Sequence, residues 1–237
     1  MKKHKSGNRF SMQAQGDSAE ILIYEEIGAS FWGGGVSPSQ FAQDLKALGD
    51  IKTLNVRINS PGGDVFDGAT IYNLLAQHSA TVNIYVDGLA ASAASLVAMA
   101  GDKICMADNA MMMIHNAWGC MAGDANDLRI FADVLQKVSE TMCNTYAKRS
   151  GMKASDVQAL MDKETWFNAQ ECVDEGLADE IVQPDEVAAK SKGVLFDLSH
   201  FKNVPKGIVQ QPAASASPIA PPDFYRERLK LYERTLN

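Results

Sequence analysis

Ser92 and Ser95 sit in the run Gly88-Leu-Ala-Ala-Ser-Ala-Ala-Ser-Leu-Val-Ala98, where most of the neighbouring side chains are very small. Residues 81–86 alternate and are rich in β-branched residues and tyrosine, Asp87-Gly88 is a turn signal, and residues 90–100 are alanine-rich with helical character. Ser92 therefore falls near a helix N-terminus, where unpaired N–H groups and the helix dipole favour negative charge. That setting suits a serine alkoxide and the oxyanion formed when it attacks a carbonyl. Such a nucleophile needs a base, most often histidine, and the chain has four. His4 lies in a polar leader, His78 in a helix-to-strand turn and His200 in the tail, whereas His115 follows Met111-Met-Met-Ile114 and sits at the edge of a core. Each residue also has a plainer reading. Alanine and serine let a helix pack closely on a sheet, the run lacks G-x-S-x-G spacing, and a lone histidine beside an apolar strand is often a satisfied core residue. The pairing of the two is what argues for nucleophile-and-base chemistry.

The elements that must position this pair follow from periodicity. Residues 20–27 read as a strand, Phe31-Trp-Gly-Gly-Gly-Val-Ser-Pro-Ser39 as a glycine-rich loop, and Ser37 or Ser39 as the cap of a helix over 38–48. Residues 53–59 alternate as a strand ending in Ser60-Pro-Gly-Gly-Asp64, residues 69–77 are helical, and 82–86 form the next strand. This is the βαβ rhythm of an α/β protein. Residues 103–106 and 110–114 read as short strands, the second delivering His115 from its end, as expected of functional residues in such folds. Residues 124–148 form a long amphipathic helix with Leu128, Phe131, Leu135, Val138, Met142 and Tyr146 in one stripe, which packs either on its own core or on another subunit. A helix over 154–161, a capped helix start at Trp166-Phe-Asn-Ala-Gln-Glu171 and a strand over 178–182 complete the body.

With 237 residues, 46% hydrophobic and 22% charged, the chain has the composition of one ordinary globular domain with appendages. Three regions are expected: a flexible leader over 1–18, a body over 19–183, and a Pro/Ala/Ser-rich linker with a basic tail over 184–237. Six of the eight prolines lie from 184 onward, and residues 223–236 could form a basic amphipathic helix. No apolar run approaches the length of a membrane helix and no signal core follows the lysine-rich start, so a cytoplasmic protein with no membrane partner is expected. Residues 187–237 hold eight Lys/Arg against four Asp/Glu, so of the net −7 the remainder carries −11. An acidic body speaks against nucleic acid as a partner. No nucleotide-binding motif occurs, and Cys105, Cys120, Cys143 and Cys172 form no C-x-x-C pair. Free thiols, no metal and no cofactor are the expectation.

Four stretches, Asn59-Ser-Pro-Gly-Gly63, Gly88-Leu-Ala-Ala-Ser-Ala93, Met113-Ile-His-Asn116 and Trp166-Phe-Asn-Ala with Glu171-Cys-Val-Asp-Glu-Gly-Leu177, come in the order found in the ClpP family of serine peptidases. Over about residues 20–183 the chain resembles that family. The opening Ile21-Leu-Ile-Tyr-Glu-Glu-Ile-Gly28, the Gly-Gly-Gly-Val loop and the tail look most like the ClpP-related head maturation proteases of tailed phages and prophages. The resemblance implies an α/β fold, a crotonase-like stack of ββα units with a protruding long helix, assembled into stacked rings. It implies Ser92 as nucleophile, His115 as general base and the N–H groups of Gly63 and Ala93 as oxyanion hole. The family's acid falls two residues before an aromatic, which gives Glu164, with Asp162 as the alternative. The function implied is an ATP-independent serine endopeptidase cleaving scaffold and capsid polypeptides during prohead maturation, in the host cytoplasm or the prohead. The alternatives are a housekeeping ClpP-type peptidase partnered with an ATP-driven unfoldase and, from another class, a crotonase-type acyl-CoA hydratase or thioesterase.

Overall fold

The computed structural model describes residues 10–28, 35–183 and 196–205. Strands β1 (Phe10–Gln15) and β2 (Ser18–Ile23) pair antiparallel, and helix α1 (Pro38–Ala47) leads to β3 (Thr53–Ser60), which lies parallel to β2. Helix α2 (Val65–Ala76) carries the chain to β4 (Thr81–Ala91), α3 (Ala93–Ala98) to β5 (Lys103–Ala107), and β6 (Met111–Ile114) follows directly. The remaining elements are α4 (Ala125–Ser150), α5 (Ala154–Asp162), β7 (Thr165–Asn168), α6 (Ala169–Asp174) and β8 (Glu180–Val182). The main sheet runs β1-β2-β3-β4-β5-β8, and off this path β6 pairs with β4 and with β7. No helix among the described residues is long and apolar enough to cross a membrane.

The alternating residues of the central strands become rows across the sheet. Ile21, Val56, Ile84 and Ile104 stand in register, as do Ile23, Ile58, Val86 and Met106, and all eight are fully buried. Burying each side chain stabilises by roughly 1.5–3 kcal/mol, so these rows anchor the fold on which the site stands. Strand β4 is long enough to serve two neighbours. Its residues 83–86 pair with β5, and Leu89–Ala91 pair parallel with Met111–Met113 of β6. The two strands that deliver Ser92 and His115 therefore end side by side.

Several expectations need correction. Residues 10–15, expected in a flexible leader, form β1, because the apolar members of Phe-Ser-Met-Gln-Ala-Gln have a neighbouring strand to pair with and Phe10 packs its ring on Phe41 at 6.1 Å. Asp87-Gly88 is not a turn. Arg57 donates to Asp87 through Nε and Nη2, Tyr24 Oη donates to it as well, and these bonds hold the pair within β4. The helix expected over 90–100 shrinks to α3. Ser37 stands at the N-cap of α1, yet its hydroxyl meets Ser39 Oγ at 2.9 Å instead of capping the helix. Cys105, Cys143 and Cys172 are buried free thiols, whereas Cys120 is exposed. Within the region expected to be linker and tail, Leu198 and Phe201 are buried against the body. The glycines at 33 and 34 and the helix expected over 223–236 lie outside the described residues.

Candidate active site

Ser92 occupies the elbow between β4 and α3 with φ 53° and ψ −125°. Among the described residues only Ser92 and Glu164 combine a side chain with positive φ. Each such residue costs on the order of 1–3 kcal/mol and persists only when its surroundings impose it. At Ser92 they do. Its N–H donates to the Met113 carbonyl at 3.0 Å, and its own carbonyl accepts from the N–H of Ser95 at 3.0 Å and of Leu96 at 3.3 Å. The Ser95 hydroxyl donates to the same carbonyl at 2.7 Å and lies 2.8 Å from Tyr146 Oη, so Ser95 is a buried packing residue.

The Pro61-Gly62-Gly63 turn lies directly on this elbow. A Cβ on Gly62 would come within 2.6 Å of the Ala91 carbonyl oxygen and 2.9 Å of Ala93 N, and one on Gly63 within 2.0 Å of the Ile27 carbonyl oxygen. Only glycine permits that approach. Ala93 opens α3, so its N–H has no acceptor within the helix. Neither Ala93 N–H nor Gly63 N–H donates a backbone bond among the described residues, which leaves both amides of the expected oxyanion hole available.

His115 is the first residue beyond β6, and its Nε2 lies 2.8 Å from Ser92 Oγ. The ring is buried. Burial pushes its pKa down to about 4; the Glu164 carboxylate opposes that shift, while His200 and Lys202 add to it. The imidazole is thus neutral at pH 7 and free to take the serine proton.

The two acid candidates separate. Asp162 is tied on the outside of α5, where it accepts from Asn116 Nδ2 and Gln158 Nε2, each at 2.8 Å, and those bonds hold its carboxyl below the usual range. Glu164 is buried, in the left-handed turn between α5 and β7, and it is the carboxylate that acts electrostatically on His115. Its hydrogen bonds lead elsewhere. Lys202 N–H donates to Oε2 at 2.9 Å, Asn203 N–H to Oε1 at 2.6 Å, and Trp166 Nε1–H makes a longer contact to Oε1 at 3.4 Å. No hydrogen bond joins either acid to His115 among the described residues.

A cleft of about 530 Å³ opens beside Ser92 and His115, with Phe66, Trp118, Phe131 and Val138 among its apolar lining and His200 also lining it. His200 and Phe201 carry no local signal in the sequence. The nearest clue is the Phe196-Asp-Leu-Ser-His-Phe201 stretch, more apolar than the proline-rich region after it.

Residues 36–185 match the family model described as Clp protease. Two curated relatives, each named ATP-dependent Clp protease proteolytic subunit and from two strains of Bacteroides fragilis, are 35% identical over 133 residues, which is 55% of this chain. The chain spans 64% and 60% of their lengths. A mutant of ClpP1 from Listeria monocytogenes, a solved structure, superposes with a TM-score of 0.61 at 24% identity, covering 71% of this chain and 94% of that one. That likeness shows a shared α/β fold.

Proposed function

Since this chain belongs to the Clp protease family, we propose that it is a serine endopeptidase in which Ser92 attacks the peptide carbonyl and His115 moves the proton. The observation that carries this reading is the 2.8 Å contact between His115 Nε2 and Ser92 Oγ at a backbone elbow held in a strained conformation. Oγ bonds to the carbonyl carbon as its proton passes to Nε2, and the oxyanion falls to the amides of Gly63 and Ala93. Nε2–H then protonates the leaving amine as the C–N bond breaks. Water hydrolyses the acyl-serine with His115 again as base. Glu164 is the acid nearest in role, since it acts on His115 while Asp162 is committed to Asn116 and Gln158. The apolar cleft beside Ser92 suits an extended polypeptide presenting an apolar side chain.

The finer assignment is to cleavage of scaffold and capsid polypeptides in prohead maturation, in the host cytoplasm or prohead, by a ring of this chain working without an unfoldase. The ten-residue segment lying against Glu164, His115 and Trp166 supports it as an addition to the peptidase body. The names of the Bacteroides relatives favour a second reading, a ClpP-type subunit served by an ATP-driven unfoldase. Purified protein should hydrolyse a fluorogenic peptide with an apolar residue before the scissile bond, and Ser92→Ala should reduce that at least about 10³-fold. Acyl-CoA hydrolysis without peptide hydrolysis would overturn the peptidase reading. Cleavage of scaffold protein without ATP supports the first assignment, and cleavage only with an added unfoldase supports the second.

A further inference from the structure

Residues 196–205 lie against the corner of the site that holds the acid. Their apolar side chains Leu198 and Phe201 are buried with Leu89, Ala91 and Met113, on strands that end at Ser92 and His115. The Phe201 ring meets His115 edge-on at 5.5 Å and Trp166 at 5.7 Å. Among the described residues, every hydrogen bond from this segment to the body goes to residues 163 and 164: the amides of Lys202 and Asn203 to the two Glu164 oxygens, and Asn203 Nδ2 to the Lys163 carbonyl at 2.6 Å.

The serine–histidine contact fixes what is missing. For Nε2, 2.8 Å from Ser92 Oγ, to accept the serine proton, the neutral ring must carry its own proton on Nδ1. A carboxylate would be the natural acceptor for that proton, fixing the tautomer and stabilising the imidazolium. Among the described residues Glu164 is the only carboxylate whose charge opposes the lowering of the His115 pKa, but both its oxygens hold backbone amides of the segment instead. One amide on each oxygen leaves lone pairs free but ties the carboxylate to the segment, and no hydrogen bond from it to the ring is present among the described residues. The other charged or titratable groups around the ring are His200 and Lys202 of the segment, with Glu26 and Asp64 along the cleft and Asp197 beside His200. None of them bonds the ring.

We propose that residues 196–205 are an autoinhibitory clasp: two backbone amides hold the Glu164 carboxylate and Phe201 covers the His115 ring, so that the carboxylate can accept Nδ1–H only when the segment lifts. The proposal rests on the peptidase reading above and adds a means of keeping the enzyme slow until released. The segment holds through backbone N–H groups, so the apolar positions 198 and 201 decide where it docks and the amides decide what it restrains.

The test uses the full chain. Asn203→Pro deletes one amide donor, whereas Asn203→Ala keeps it and loses only the side-chain bond to Lys163. Asn203→Pro should raise kcat at least about tenfold, below the roughly 10⁴ that an orienting carboxylate can supply, and Asn203→Ala should raise it much less. A far-downfield Nδ1–H proton should appear in the NMR spectrum of Asn203→Pro. The acid limb of its kcat/KM profile should move to higher pH, because a bonded carboxylate favours imidazolium. Adding Glu164→Gln should erase the gain, so that the double variant is no faster than Glu164→Gln alone. A folded Asn203→Pro whose kcat falls or stays level would overturn the clasp and make the segment purely structural. If that variant does not fold, Phe201→Ala and Lys202→Pro take its place: a rise in kcat in either supports the clasp, and a level or lower kcat in both overturns it. If no variant hydrolyses peptide, the peptidase reading is what has failed, and the Nδ1–H line still decides whether Glu164 turns to His115 when an amide is removed.

Discussion

At the scale of single residues, the site is defined by two backbone conformations that most side chains avoid. Ser92 and Glu164 both sit at positive φ, and each combines local backbone bonds with a distant one: Ser92 N–H to the Met113 carbonyl, and the Glu164 carboxylate to the amides of Lys202 and Asn203. His115 bonds to Ser92 and feels the Glu164 charge, and its burial has a consequence for stability. Its folded pKa is about 4 against 6.5 when unfolded. Between those values the unfolded chain binds a proton at this position and the folded chain does not, so stability falls as pH drops from 6.5 towards 4. The full gap is about 3 kcal/mol. Urea unfolding at pH 7 and pH 4.5 should therefore show wild type losing more stability than His115→Gln, by about 2–3 kcal/mol. Equal losses in the two proteins would mean that the folded ring accepts its proton freely, contrary to a buried neutral imidazole.

At the scale of elements, α4 divides in two. Met142, Cys143 and Tyr146 are buried in the core of their own chain, whereas Leu128, Ile130 and Val134 are exposed. The stripe read from the sequence is thus intramolecular at its C-terminal end, and only the first half presents an apolar surface that water does not favour. We assign that half to contact between subunits. Leu128→Glu with Ile130→Glu should leave the unfolding temperature within a few degrees of wild type, since exposed positions rarely contribute more than about 0.5 kcal/mol, yet shift the mass in light scattering to a smaller assembly. An unchanged mass would leave α4 without a subunit contact.

At the scale of the whole molecule, what could be read in the sequence was what is encoded locally. The period of α4, the capping box of Asn168 and Glu171, the alternation of β3 and the apolar run that ends at His115 are all visible over a few residues. So is the Pro-Gly-Gly turn that the structure lays on Ser92. What stayed hidden depends on partners far along the chain. Asp87-Gly88 stays extended because Arg57 and Tyr24 reach it from β3 and from beyond β2. β1 exists because β2 offers an edge, and the amides that bond the Glu164 carboxylate lie about 38 residues downstream of it. The family resemblance narrowed the candidate acid to two carboxylates two positions apart. Their separation came from α5, which ends between them and turns one outward and one inward.

The central claim is that Ser92 is a nucleophile activated by His115, and reaction with a fluorophosphonate tests it most directly, because the probe needs an activated serine and no particular substrate. After prolonged incubation, tandem mass spectrometry should place a single adduct on Ser92. The adduct should persist in Ser95→Ala, whose hydroxyl is bound to Tyr146 and the Ser92 carbonyl, and should be absent in Ser92→Ala and strongly slowed in His115→Gln. An adduct that survives Ser92→Ala, or one that maps to Ser95, would contradict the account.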